Sequence, residues 1–432
     1  MRVLVVSWGW PAHYLPMVPL SWALRLAGHE VLVATQPSLV TVVRSTGLPV
    51  ATVGRDIADI AALEGGFLRR AAPDGGPPLE WEDLRRYGAR CCGKNVANAE
   101  LMIDDLLDLG SAWRPDLVLY EPTSYAGPLL AARLGVPAVR HTWGIDFAYY
   151  QREFEDEALH GLCRRLGLPG VETLGELTID PCPPSLQVGP DPRVPVPVRR
   201  VAMRHVPFNG RAVHPPGLPA RTGRPRVCVC WGYSSAVWDP RLDLGAQLTE
   251  RIADLDVEVV LTGPGRPPDS VSARPNVIVL DRTALHLVFP DCDLAVIHGG
   301  LGTMLTAMSC GLPQLVVPQI ADRVLNARML RASGAGEFVF AHECDEQRLH
   351  GLVNALLHEE RYVTAARRLR AAAESLPGPE HIAELVADLV GHRARPPVQD
   401  TPNIGLIPAY CRVTKLLKQS NNERQCHGVK RP

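Results

Sequence analysis

The chain has 432 residues, 46% of them hydrophobic and 21% charged, which indicates two or three globular domains and excludes a mainly disordered polymer. Its 45 Lys and Arg balance 46 Asp and Glu, a formal net charge of -1, so the basic excess of a nucleic-acid binder is missing. Only four of the basic residues are lysine, and Lys415, Lys418 and Lys430 all lie in the tail, leaving Lys94 alone in the body.

In chain order, residues 2–7 form a short β-branched run that ends in a glycine turn, as a parallel strand covered on both faces would. A helix is predicted over 17–27, and further buried strands over 30–34, 49–53, 116–120 and 136–140. Residues 81–113 read as mostly helical and 65–78 as loop. From 206 to 226, five prolines and three glycines exclude helix and sheet, so this segment is the predicted interdomain linker. The pattern then restarts with strands at 227–231, 257–261, 277–280, 294–297, 315–317 and 337–340, and helices at 346–358, 362–375 and 380–391. Strand–helix alternation in both halves predicts two α/β domains with open parallel sheets and a cleft between them. The domains are expected at 1–205 and 227–393, with an atypical, disordered tail at 394–432.

Eleven cysteines are an odd number without a CxxC spacing, so free thiols in a reducing cytoplasm are expected rather than a disulfide framework or zinc site. Residues 294–321 lack Asp, Glu, Lys and Arg, but six glycines and prolines break them up, and no membrane span is expected.

In parallel sheets, ligands bind beyond the carboxyl ends of the strands. The first such turn, Ser7-Trp8-Gly9-Trp10-Pro11-Ala12-His13, lacks the GxGxxG of a dinucleotide site. His13 there is either a general base or a histidine that merely bonds a backbone carbonyl. Glu121, just past the strand 116–120, either orients His13 or is an ordinary helix-entry acid before Pro122. The strongest signal is His298-Gly299-Gly300-Leu301-Gly302-Thr303, where a glycine turn opens an apolar helix and is either an anion site suited to phosphate or a turn needed only for packing. Gly232-Tyr233-Ser234-Ser235 adds hydroxyls at an equivalent tip, and Asp322 either binds a polyol or caps a helix. Asp291-Cys292-Asp293 has the form of a metal-dependent sugar-transferase motif, yet it begins its strand about 16 Å from His298. No metal is expected.

The run from His298 to Thr303, with Gly311-Leu312-Pro313-Gln314, Pro318, Asp322, Asn326-Ala327 and Gly334-Ala335-Gly336, resembles the donor signature of the GT-B, family 1 glycosyltransferases. His13, Pro16, Pro19-Leu20 and Gly28-His29-Glu30-Val31 look like the acceptor half. Trp113-Arg114-Pro115-Asp116-Leu117, Tyr120-Glu121-Pro122, Trp143-Gly144, Thr178-Ile179-Asp180-Pro181 and Gly232-Tyr233-Ser234-Ser235 resemble the antibiotic deoxysugar transferases of the erythromycin desosaminyl transferase type.

The resemblance implies an inverting, metal-independent enzyme that uses no cofactor and moves a deoxysugar from a dTDP-linked donor to a hydroxyl of a hydrophobic aglycone. It casts His13 as base and Glu121 as its orienter. His298, Gly299, Gly300, Gly302 and Thr303 would hold the diphosphate, Ser234 the phosphate or sugar, and Arg282 and Thr283 the nucleotide base. Trp143, Asp322 and Arg323 would face the donor sugar. Trp8, Trp10, Phe147, Tyr149 and Tyr150 lie on loops expected to face the cleft, where they either form an apolar wall suited to an aglycone or, some of them, belong to the core. A cytochrome-P450-like auxiliary protein or a second copy of the chain is the implied partner. Two departures stand out: Asp322-Arg323 replaces the Asp-Gln of common hexose transferases, and Glu121 replaces a frequent Asp. An NDP-sugar 2-epimerase and a non-catalytic sugar-nucleotide-binding partner are the rival readings on the same fold.

Overall fold

Strand β1 (Arg2–Val6) shows why the first sheet is built from unbroken apolar runs. Val3 and Val5 enter one core, while Leu4 and Val6 enter another on the opposite face. A strand covered on both sides has no solvent face toward which to alternate. The computed structural model describes residues 1–56, 88–146, 151–188, 199–214, 218–232, 242–263, 267–281 and 283–393. After β1 come α1 (Pro11–Tyr14), α2 (Val18–Leu26), β2 (Glu30–Thr35), α3 (Val40–Ser45), β3 (Val50–Thr52) and α4 (Gly88–Trp113). The first domain continues with β4 (Leu117–Tyr120), α5 (Ala126–Leu134), β5 (Ala138–His141), α6 (Arg152–Arg165), β6 (Leu177–Asp180) and β7 (Arg199–Ala202). The strands run parallel in the order β3-β2-β1-β4-β5-β6-β7.

The second domain holds β8 (Arg226–Cys230), α7 (Gly245–Ile252), β9 (Glu258–Gly263), α8 (Asp269–Ser272), β10 (Val277–Asp281) and β11 (Leu294–Ile297). It ends with α9 (Leu301–Ser309), β12 (Gln314–Val316), α10 (Ala321–Ser333), β13 (Gly336–Phe338), α11 (Glu346–His358), α12 (Glu360–Glu374) and α13 (Pro379–Arg393). Its parallel order is β10-β9-β8-β11-β12-β13. Cys228 and Cys230 pack on one face of β8 as small apolar groups, and burial pushes the Cys230 thiol up to about 11. The nine cysteines among the described residues are all free. No helix among those residues is long and apolar enough to cross a membrane.

The structure departs from the sequence reading in several places. The first helical turn begins at Pro11 rather than near Met17, which puts His13 inside α1. Proline at the start of a helix loses no internal hydrogen bond, so Pro11, Pro16 and Pro19 are tolerated at successive helical starts. Strands β6 and β7 carry Asp180, Arg199 and Arg200, polar residues that hid them from an apolar search. The terminal helix α13, expected to close the second domain, buries Ile382, Ala383 and Val386 against Leu20 and Leu24 of α2 in the first core. The linker is packed as well: Asn209 donates to Thr306 (3.2 Å) and accepts from the backbone N–H of His286 (3.3 Å). The expected loop at 65–78 and the tail from 394 lie outside the described residues.

Candidate active site

Strand order reverses between β1 and β4 in the first sheet and between β8 and β11 in the second. Connections leave in opposite directions at such a point and open a crevice beyond the strand ends. Val6 pairs with Tyr120, and Ile297 with Cys230, so the residues that follow each pair emerge side by side. His13 and Glu121 follow β1 and β4; Gly232 and His298 follow β8 and β11. Both switch points therefore carry the residues that the sequence marked.

Nδ1 of His13 lies 3.1 Å from Oε2 of the fully buried Glu121, and the His13 side chain is 17% exposed. The carboxylate also accepts the Thr123 backbone N–H (2.9 Å), the Thr123 hydroxyl and the Ser124 hydroxyl. Burial alone would raise its pKa, but His13 and these donors outweigh burial and hold it below the usual carboxylate range. Glu121 is therefore an anion at neutral pH with its own local supports. Trp143 stacks on the His13 ring at 4.0 Å and 23°, and Trp8 meets the ring edge-on at 5.4 Å.

At the other switch point, Gly299 has φ +91°, and a Cβ there would lie 2.9 Å from Val316 Cγ1, so only glycine fits the turn. The N–H groups that open α9 follow at once, and Asn326 donates to the Gly299 carbonyl (2.9 Å) to hold the turn. His298 is 3% exposed and packed between Gly232 and Gly300, and its Nδ1 has no hydrogen-bond partner among the described residues. Burial, then the nearby Arg323 charge, push its pKa well below the ordinary value, so the imidazole is neutral. Arg323 is 2% exposed, and burial lowers its pKa to about 10, so it remains a cation at neutral pH.

One loop joins the two points. In residues 142–146, Trp143 covers His13, while the α-carbon of Gly144 packs against Leu301, the first residue of α9. A Cβ at Gly144 would come within 2.8 Å of that leucine. A buried polar clamp sets the loop. Asp146 accepts Arg140 (2.6 Å) and Arg200 (3.1 Å), and Asp180 accepts Arg200 (2.6 Å) and Thr142 (3.1 Å). Gln187 donates to the Gly144 carbonyl (3.0 Å) and accepts the Asp146 N–H (2.8 Å).

Residues 22–232 match the family described as "Erythromycin biosynthesis protein CIII-like, N-terminal domain", and residues 246–389 match its C-terminal counterpart. The 10-deoxymethynolide desosaminyltransferase of Streptomyces venezuelae is 34% identical, over 92% of this chain and 99% of its own. The chain belongs to this family of glycosyltransferases. The tylactone mycaminosyltransferase of Streptomyces fradiae is 35% identical over 88% of this chain and 90% of that one. Spinosyn rhamnosyltransferase SpnG, 30% identical, has the same fold with a TM-score of 0.75 over 90% of this chain and 100% of its own. It has also been solved with thymidine diphosphate and with spinosyn aglycone. This glycosyltransferase accordingly has the GT-B fold, with its two parallel-sheet domains.

Not every expected site residue stands where it was placed. Trp8 and Trp10, which the sequence left as either an acceptor wall or core, are 4% and 8% exposed, stack on each other at 5.8 Å and pack into the core from the turn after β1. Arg323, expected to face the donor sugar, is buried behind Gly299; Asp322 lies half-buried in the first turn of α10. Thr303 is half-buried in the first turn of α9, and Thr283 donates to the Asp281 carbonyl (3.3 Å). Gly302 is exposed, with open space about its α-carbon. Ser234, Arg282, Phe147, Tyr149 and Tyr150 lie outside the described residues. Sequence reasoning missed Thr123 and Ser124, whose hydroxyls bond the Glu121 carboxylate and whose signal in the sequence is only their nearness to it. It also missed the Arg140–Asp146–Arg200–Asp180 clamp, whose signal is an arginine in a buried strand.

His141, which ends β5, is fully buried, with its Nδ1 on the Thr142 carbonyl (2.6 Å). Burial lowers its pKa to about 4 from the ordinary 6.5. A histidine kept neutral by folding takes up its proton only on unfolding, so the stability it contributes is complete above about pH 6.5 and falls as pH drops toward about 4. Glu155, whose pKa burial raises, changes stability in the opposite direction as pH falls. Comparison with His141→Asn isolates the histidine. Between about pH 7.5 and about pH 5.5 the wild type is expected to lose about 1.4 kcal/mol more than the variant in urea melts. Parallel pH slopes would show that His141 is not held neutral.

Proposed function

We propose that this glycosyltransferase moves a deoxysugar from a dTDP-linked donor to a hydroxyl of a natural-product aglycone, with inversion at the anomeric carbon and without a metal ion. The observation that carries this reading is the loop at 142–146, which joins the His13–Glu121 pair of one domain to the glycine turn of the other through two consecutive residues. Nε2 of His13 takes the acceptor proton while the acceptor oxygen attacks C1 of the sugar. The bond from C1 to the diphosphate oxygen breaks on the opposite face, and its electron pair leaves with the diphosphate. Glu121 accepts Nδ1–H and stabilises the imidazolium as it forms. The N–H groups at the start of α9 receive the departing anion, with Arg323 as a fixed positive charge beneath them. His298, being neutral, contributes a hydrogen bond rather than charge.

Two observations support a metal-independent course. Asp293 lies at the amino end of β11, where it accepts the Arg226 N–H (2.8 Å) and pairs with Arg221. Asp254 and Asp256 are likewise paired with Arg274 (2.6 Å) and Arg224 (2.7 Å). The names of the desosaminyl- and mycaminosyltransferase relatives support a deoxysugar, and the thymidine diphosphate complex of the similar structure supports the nucleotide.

A thermal-shift comparison of dTDP, UDP and GDP tests the donor. At a hundredfold excess over its Kd, dTDP is expected to add about 2.7 kcal/mol of stability, with smaller shifts for the others. Equal indifference to all three would refute the donor assignment. Donor consumption only in the presence of an aglycone identifies a transferase. Consumption without aglycone would mean an epimerase, and binding without turnover a non-catalytic partner.

A further inference from the structure

Three groups converge on the same nitrogen of His13, and they cannot all bond it at once. Nδ1 lies 3.1 Å from Glu121 Oε2, 3.1 Å from Thr123 Oγ1 and 2.7 Å from Nε1 of Trp8. A carboxylate only accepts, so its bond requires Nδ1 to carry the proton. An indole N–H only donates, so its bond requires Nδ1 to be bare. A neutral imidazole has one proton, and the two partners therefore select opposite tautomers.

We infer that Trp8 is a positioning residue that holds His13 in the tautomer with Nε2 protonated until an acceptor hydroxyl draws the proton to Nδ1. Three features favour the Trp8 bond at rest. It is the shortest of the three contacts. The Trp8 backbone N–H is anchored on the Ser124 hydroxyl (3.0 Å), and the indole is stacked on Trp10 at 5.8 Å. Glu121 is not left bare when Nδ1 carries no proton, because the Thr123 N–H and hydroxyl and the Ser124 hydroxyl still donate to it, although His13 does most to favour its charged form. An acceptor O–H can donate only to a bare Nε2, so acceptor binding favours the other tautomer, in which Nδ1–H points to Glu121 and Trp8 gives way. Trp8 and the acceptor are then antagonists that act through one proton. The proton count closes: in the switched state Nδ1–H stays on Glu121, and Nε2 receives the acceptor proton during transfer.

The inference rests on His13 as the base, but its test does not need turnover. The ¹⁵N spectrum of the imidazole, at a pH where the ring is neutral, reports which nitrogen carries hydrogen. Ligand-free wild type is expected to show His13 with Nε2 protonated, and Trp8→Phe to move the proton to Nδ1. In the proposed transfer assay, Trp8→Phe is expected to raise kcat/KM for the acceptor about fivefold, the worth of one neutral hydrogen bond. Nδ1 protonated in the wild type, an unmoved tautomer in the variant, or an unchanged or lowered kcat/KM beside a moved tautomer would each overturn it. The wild-type spectrum decides even if the variant does not fold. A fully active His13→Ala enzyme would instead remove the base assignment and leave the tautomer result standing.

Discussion

Replacing His13 with alanine is expected to lower kcat for sugar transfer by about 10³-fold while leaving the Kd for dTDP within about twofold. The split follows from where the residue stands. His13 belongs to α1 of the first domain, whereas the glycine turn and the start of α9 belong to the second. Alanine removes the proposed proton acceptor, and the Glu121 carboxylate keeps its bonds from Thr123 and Ser124. The anion site should therefore survive. Steady-state kinetics with a dTDP-deoxysugar, beside dTDP calorimetry, measure both quantities. Full activity in the variant would eliminate His13 as the base. An equal loss of dTDP affinity would show that the residue acts on structure instead.

Asp146→Ala is expected to cost about 3–5 kcal/mol of stability, the usual consequence of removing one partner from a buried ion pair. The Asp146 and Arg140 side chains are each 1% exposed and meet at 2.6 Å. Arg200 bonds both Asp146 and Asp180, so the loss spreads to a second carboxylate. Asp146→Asn keeps one acceptor oxygen and should lose less. Because the clamp also sets Trp143 over His13, folded Asp146→Ala protein should have a lower kcat with dTDP affinity preserved. Urea melts that coincide with the wild type would show that the clamp adds nothing to folding.

The tail from 394, set apart in the sequence by its lysines, lies outside the described residues. Within the described chain, the sequence was a sound guide wherever one local rule sufficed. Unbroken apolar runs such as Val3–Val6, alternating with helical stretches, suit a parallel strand with helices on both faces, so both sheets were legible except for the polar strands β6 and β7. The turn at Gly299 was legible for a similar reason, since glycines between a buried strand and an apolar helix leave few alternatives to a close-approach turn. His13 and Glu121 could be proposed as partners because strand ends collect ligands, although they are 108 positions apart.

Tertiary structure decided what depends on distant residues meeting. Nothing local to Arg140, Asp180 or Arg200 says that they pair around Asp146, because strands β5, β6 and β7 acquire their register only in the folded sheet. Trp8 and Trp10 were open to either reading, acceptor wall or core, and only packing shows them buried. The contest for Nδ1 of His13 is likewise invisible in a string of letters. Composition and periodicity pointed to two parallel sheets, and position beyond the strand ends marked His13 at one rim and the Gly299 turn at the other as candidates. Long-range packing decided which groups meet Nδ1 of that histidine, since hydrogen-bond partners are chosen by distance in space rather than separation in sequence.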